Sequence, residues 1–411
     1  MRILALAVAA ACVGVLAGGP ALGQEWTRFR GPNGSGASDA TTVPAAWTEK
    51  DVRWKVALPG PGHSSPVLWG DRIFVTCGDP ESAKRTLLCL KAADGSILWR
   101  RDFDSAPTKQ NTANSYATPT PAVDKDRVYV LWATEQNYPA IALTHDGKDV
   151  WRRDLGPFVS QHGHGASPIV FEDLLIVPND QDGVSFIAAL DCATGKTRWQ
   201  TERKSTKAAY STPCILQREG GAAEIILSSH AHGITALDPK TGRVAWEMAD
   251  AFPQRVVGSP VVAGGLVLGN CGTGGAGMHV IAVRPPAAKD GKPAVAWKAA
   301  KPAPYVTMPV VSGGLVFLWT DTGTVLCVRL ATGEEVWREK LGGSYYASPV
   351  AVGGRIYNVS RTGEVVSLAA GEKYELLGRT PLGEATHATP AVAGGRMVLR
   401  TLTHLISVGG K

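Results

Sequence analysis

The stretch Asp191-Cys-Ala-Thr-Gly-Lys-Thr-Arg-Trp199 returns in the next unit as Asp238-Pro-Lys-Thr-Gly-Arg-Val-Ala-Trp246. In both copies an alternating apolar run ends at the Asp. Gly195 or Gly242 then supplies the positive-φ position that a short hairpin loop with a bulge requires. The Asp and Thr side chains can hold the turn by bonding its backbone. The Trp falls in the returning strand, where a large apolar body with one N–H donor suits a seam between neighbouring sheets.

Working outward, a second mark opens each unit: Ser65-Pro66, Thr120-Pro121, Ser167-Pro168, Thr212-Pro213, Ser259-Pro260, Met308-Pro309, Ser348-Pro349 and Thr389-Pro390. Successive prolines lie about 40 to 55 residues apart, the period of propeller blades. A proline at the first position of a strand costs no ladder bond. β-Branched residues follow, then two-residue turns such as Gly264-Gly265, Gly313-Gly314, Gly353-Gly354 and Gly394-Gly395. These are hairpin signals. Each unit therefore reads as strand, tight turn, strand, variable loop, strand, Asp/Thr-Gly turn, strand. The chain of 411 residues is accordingly one repeat array rather than two or three domains.

The closing Trp recurs as Trp99, Trp151, Trp199, Trp246, Trp297 and Trp337, with Leu377 in its place in the seventh unit. The eighth unit runs out after three strands. Asp51-Val-Arg-Trp54-Lys-Val56 carries the Trp-bearing pattern with no three strands before it. The expected fold is all-β: an eight-bladed β-propeller of four-stranded antiparallel blades, closed by this N-terminal strand (51–56) completing the C-terminal blade. Residues 24–50 are expected as a loop-like arm packed on the outside by Trp26 and Phe29.

Met1 and Arg2, the apolar run Ile3 to Ala17 and the small residues before Gln24 read as a signal peptide over 1–23, cleaved near Gly23. Residues 24–411 then form a single domain, periplasmic or secreted, expected as a monomer with no transmembrane segment in the mature chain. Loss of Arg2 takes the formal charge from +6 to +5, that is 41 basic minus 36 acidic residues. The charges are interspersed and no basic run builds a nucleic-acid surface. Six cysteines remain, Cys77, Cys89, Cys192, Cys214, Cys271 and Cys327, none in a Cys-x-x-Cys pair. Buried small hydrophobes are the expectation, with Cys77 to Cys89 as the one candidate bridge.

In a propeller, the lead-in segments to the innermost strands and the loops after the second strands open on one face around the axis. A ligand- or partner-binding face is expected there. The lead-in segments hold His63, Tyr116, His162, His164, Tyr210, Tyr305, Tyr345, Tyr346 and His387. The second-strand loops add Asn179, Asp180, Asp182, His230, His232, Trp319, Arg361 and His404. Lys109, Gln110, Asn111 and Asn114 lie on a longer loop suited to a partner. His162-Gly-His164 and His230-Ala-His232 allow a metal reading, but no carboxylate stands at ligand spacing, so structural histidines are expected. Asn179-Asp180-Gln-Asp182 could hold calcium through oxygens, yet reads first as turn capping. No nucleophile, base and orienting acid can be assigned. Ser64 and Ser65 beside His63 point to opposite sides of an extended chain.

The Asp-x-x-Thr-Gly-x-x-x-Trp elements with their Ser/Thr-Pro starts resemble the pyrroloquinoline quinone (PQQ)-like repeat of quinoprotein alcohol dehydrogenases and of the outer-membrane assembly factor B family. Trp26-Thr-Arg-Phe-Arg-Gly-Pro-Asn-Gly-Ser-Gly36, Gly62-His-Ser-Ser-Pro66, Asn114-Ser-Tyr116 and Gly163-His-Gly165 are similar to secreted bacterial PQQ-binding-like β-propeller repeat proteins. The resemblance implies the eight-bladed fold. The quinoprotein enzymes bring an adjacent cysteine pair and a Glu, Asn and Asp calcium set with a catalytic Asp; no Cys-Cys occurs here and the calcium ligands do not map. The function expected is a non-catalytic extracytoplasmic scaffold binding a protein, peptide or envelope component. A PQQ- and calcium-dependent oxidoreductase is the alternative.

Overall fold

A computed structural model describes residues 25–204, 207–218, 221, 223–288 and 291–410. The expected signal peptide therefore lies outside the described residues. The chain forms eight antiparallel sheets arranged as propeller blades, with only short 3₁₀ turns besides. The first blade contains Val67–Trp69, Arg72–Gly78, Arg85–Lys91 and Ile97–Phe103; the third contains Ile169–Phe171, Leu174–Asn179, Ser185–Asp191 and Thr197–Arg203. Second and third strands are buried almost throughout, and outer strands alternate. That pattern is what a sheet sandwiched between two others demands.

The eighth blade is made as its sequence required. Ala391–Ala393, Arg396–Arg400 and His404–Gly409 are completed by Val52–Ala57, which pairs antiparallel with the last strand, Trp54 opposite Ser407 and Val56 opposite Leu405. The seventh blade gains a fifth strand: Ala37–Ser38 runs parallel to Val350–Val352 on its inner edge.

The nine-residue repeat turns out to be two halves of one joint. Gly195 sits at φ +68°, and a Cβ there would lie 2.6 Å from the Trp151 ring of the preceding blade. Trp151 Nε1 donates to the Cys192 carbonyl of that same turn at 2.9 Å. The turn itself is held by Asp191, whose carboxylate accepts from Thr194 N and Oγ1. The same docking on the next blade's glycine turn joins Trp54 to Gly95, Trp99 to Gly147, Trp199 to Gly242 and Trp297 to Gly333, whereas Trp246 Nε1 donates to Glu224 Oε2. The eighth blade takes its fourth strand from Val52–Ala57, so no such turn joins its third and fourth strands. Leu377 stands before it, and the seam is filled instead by residues 42–47: the Val43 and Pro44 carbonyls accept from Tyr357, the Ala45 carbonyl accepts from Ser367, and Ala46 packs where a Gly378 Cβ would be.

The Ser/Thr before each proline has a role that strand-start chemistry alone did not suggest. Ser65 N donates to Thr120 Oγ1, Thr120 N to Ser167 Oγ, Ser167 N to Thr212 Oγ1 and Thr212 N to Ser259 Oγ. Met308 N and Ser348 N continue the series to Ser348 Oγ and Thr389 Oγ1. These buried hydroxyls form a belt that ties each inner strand to the next, interrupted where Met308 offers no oxygen.

The arm corrects one expectation. It does not pack on the outside but crosses the axis. Trp26 bridges Leu68 of the first blade, and Thr27 O accepts from Val123 of the second. Asn33 exchanges side-chain bonds with Ile215 of the fourth, and Arg30 donates to the Pro309 and Pro349 carbonyls of the sixth and seventh. The physical reason is that inner strands leave their axial edges unpaired, and a segment lined with donors and acceptors satisfies them.

Candidate functional site

Above the arm the lead-in segments enclose an axial cavity of about 500 Å³. Phe29 of the arm lines it together with His63, Asn111, Asn114, His162, Tyr210, Tyr305, Tyr346, His387 and the belt residues Thr120, Ser167, Thr212, Ser259, Ser348 and Thr389. Groups from all eight blades thus meet on one concave surface. Of the residues singled out from the sequence, His63, Asn111, Asn114, His162, Tyr210, Tyr305, Tyr346 and His387 are brought together here.

One corner is more tightly built than the rest. His63 and His387 have ring centroids 4.3 Å apart, and Tyr346 meets His387 edge-on. The Arg361 guanidinium carbon lies over the Tyr346 ring, 4.5 Å from its centroid, and Arg361 Nε donates to His387 Nε2 at 3.1 Å. His387 Nε2 is therefore the acceptor nitrogen, and its proton sits on Nδ1, facing the Ala113 carbonyl. Burial, then the neighbouring charge of Arg361, lowers the His387 pKa to about 4. For His63, burial comes first, followed by His387, Arg400 and Arg361, and the pKa falls to about 3. Both imidazoles are neutral at ordinary pH.

On the other side Asn114 Nδ2 donates to the His162 and His164 carbonyls, fastening the long loop to the third lead-in segment. Asn111 Nδ2 approaches His162 Nδ1 at 3.4 Å. Lys109 stands on the same loop, its carbonyl beside Gly163. Burial and then Arg255 lower the His162 pKa.

The other singled-out residues have separate employment. His164 lies behind the wall, edge-on to Tyr138 and bonded to its hydroxyl, while Tyr116 is stacked under Arg85. Asn179 is buried and accepts from Gln181; Asp180 makes a buried, two-pronged ion pair with Arg203. His230 contacts the Phe252 carbonyl, and His232 bonds Glu247 and accepts from Lys204 N. Trp319 and Tyr345 are both 0% exposed and pack on each other. They belong to the interior, because the second strand is buried to its end. The sequence reading missed Phe29, since it placed the arm outside, and Arg255, whose guanidinium reaches Gln161 at the mouth.

Neither histidine pair converges, and among the described residues no group of three or more His, Cys, Asp or Glu could hold a metal ion. Cys77 stands opposite Thr86, and Cys89 opposite Phe74 and Trp99, so the candidate disulfide is not formed; all six described cysteines are buried thiols. Nor does the donor set at the cavity fit calcium. Asp321 already accepts from Tyr305 N and Val306 N, and Asp182 from Gln161 N and Ala208 N.

A family model described as outer membrane protein assembly factor BamB matches residues 39–202, 109–339 and 322–408. The chain belongs to this family. The assembly factor BamB of Burkholderia pseudomallei is 23% identical over 385 residues, covering 89% of this chain and 91% of that one. A polyvinylalcohol dehydrogenase from a Pseudomonas species is 25% identical over 220 residues, 49% of this chain. The chain spans 32% of that dehydrogenase, and 57% and 49% of two further BamB proteins. Among solved structures, BamB from Moraxella catarrhalis superposes with a TM-score of 0.64 at 17% identity, covering 87% of this chain and 96% of the other, and a quinohemoprotein alcohol dehydrogenase from Comamonas testosteroni with a TM-score of 0.68 at 15% identity, covering 94% and 81%. Such a likeness shows the shared fold alone. No helix among the described residues is long and apolar enough to cross a membrane.

Proposed function

We propose that this BamB-family propeller is an extracytoplasmic, non-catalytic scaffold that receives a protein or peptide partner on the face where the axial cavity opens. The observation that carries the reading is the shape of the site: a concave surface fed by all eight blades, with the arm drawn across the axis beneath it. Rigid strands deliver the lining, and the longer loops around it supply adaptable contacts. The role in the name of the assembly-factor relatives, attachment to an outer-membrane assembly process, supports a macromolecular partner in the cell envelope.

Photo-crosslinking in the intact envelope tests this. A photoreactive residue at Asn111 or His162 should give a discrete adduct, whereas one at Gly313, in a hairpin turn at the opposite end of the blades, should not. Equal labelling from both faces, or none from the cavity face, removes the proposal. The names of the dehydrogenase relatives support a rival reading as a quinone-dependent oxidoreductase. Titration with PQQ and calcium separates the two: a ligand at a hundredfold excess over its dissociation constant raises stability by about 2.7 kcal/mol. An unchanged melting curve is the expected result.

A further inference from the structure

The charge around the axis is lopsided. Arg28, Arg30, Arg85 and Arg400 are buried, and their guanidinium groups are held chiefly by main-chain carbonyls: Pro213 for Arg28, Pro309 and Pro349 for Arg30, Tyr116 and Ala133 for Arg85, Ser64 and Thr76 for Arg400. None of the four has a carboxylate partner among the described residues. Burial lowers the pKa of Arg30 to about 9 and those of Arg28 and Arg85 to about 10, so these three stay charged at neutral pH, and it lowers that of Arg400 as well. Uncompensated buried cations are costly, and their field is focused into the low-dielectric cavity they surround.

One cation stands beside the cavity, against its lining residues Tyr346 and His387, and is poised to meet an anion directly. Arg361 is fixed by its stack on Tyr346 and by its Nε bond to His387, which leaves the end-on pair of amino groups without a partner among the described residues. A guanidinium held over a ring and by its Nε in this way is pre-organised for two-pronged contact with a carboxylate. Among the described residues no carboxylate bonds it; Asp321 and Asp182 accept from main-chain N–H groups. A second observation concerns size. Val159 and Val184, on the lead-in segment and the second-strand loop of the third blade, are 51% and 81% exposed. Val159 packs beside Gly183, the residue before Val184, and both valines lie outside the cavity lining. A small acid inside the cavity would leave them in water; a polypeptide lying over the mouth would cover them.

We propose that the face around the cavity receives a carboxylate side chain from an acidic segment of a protein partner, taken end-on by Arg361 beside Tyr346 and His387, with the partner's flanking surface covering Val159 and Val184. This rests on reading the cavity face as a partner surface. The test is calorimetric titration of the full chain with a glycine-flanked tetra-aspartate peptide, its asparagine twin, and succinate. The acidic peptide should bind at least tenfold more tightly than the twin and more tightly than succinate. Arg361→Gln should weaken it about tenfold or more, and Arg361→Lys should restore only part of the loss, because the charge returns without the fork. The Val159→Ser/Val184→Ser double variant should weaken crosslinked partner capture while leaving succinate binding unchanged. Equal affinity for the twin, succinate binding as tight as the peptide, or indifference to Arg361→Gln in a variant with an unchanged melting curve each overturns the proposal. Crosslinks that form but resist competition by the acidic peptide would sink this inference and leave the scaffold reading intact. Absence of any crosslinked partner would remove the scaffold reading and this inference with it.

Discussion

At the scale of single residues, the chain places its polar chemistry where main chain, not acid, must answer it. His164 is the clearest titrating case: buried, with Arg85 nearby, its pKa drops from the usual 6.5 to about 3, burial being the larger cause. Between those values the unfolded chain binds a proton that the folded chain refuses, so acidification through this window favours unfolding. The contribution is up to about 1.4 kcal/mol per pH unit for each such histidine. Stability should therefore fall from about pH 6.5 downward, and His164→Phe should flatten that slope by about one proton's worth; chemical denaturation at pH 7 and pH 4.5 measures it. The belt supplies a second prediction. Thr120→Val keeps the shape but strands the Ser65 N–H, which donates across 2.9 Å, and should cost about 1–3 kcal/mol. Thr120→Ser, which keeps the oxygen, should cost much less in the same melt.

At the scale of elements, the Asp-x-x-Thr-Gly turn and the Trp are legible in the sequence because both recur at fixed spacing. What the spacing conceals is that they belong to different blades of one joint. The glycine is required twice over, by its φ and by the neighbouring indole. Gly195→Ala should accordingly cost on the order of 1–3 kcal/mol from backbone strain before any displacement of Trp151 is counted. Indole fluorescence would report that displacement as a change absent from a surface control. The same logic explains the one unit without a closing Trp: Leu377 precedes a blade that takes its fourth strand from Val52–Ala57. The Cys77 to Cys89 bridge failed for an equally local reason, since a register of several residues separates them on facing strands.

At the scale of the whole molecule, the two ends of the chain do separate jobs. Val52–Ala57 closes the ring, and the segment before it crosses the axis. Removing them in turn should separate the effects. A chain beginning at Thr41 keeps the closing strand and loses the axial segment, and should still unfold in one transition at a lower midpoint. A chain beginning at Leu58 leaves the eighth blade with an open edge and should lose cooperativity. Matching melts for the two truncations would contradict this division.

The repeat marks alone determined the blade count, the strand order within each blade and the closure, because each is a matter of periodicity along the chain and of a unit left one strand short. They also placed His63, His162, Tyr210, Tyr346 and His387 on one face, since every lead-in segment opens the same way. Only the tertiary structure decided which of that face's residues line the cavity. Trp319 and Tyr345 turn into the core, Asp180 is consumed by Arg203, and Phe29 arrives from an arm with no repeat to mark its course. The reason is physical: periodicity encodes what a residue does within its own blade, whereas the cavity, the hydroxyl belt and the acid-free arginines depend on contacts between blades far apart in the chain.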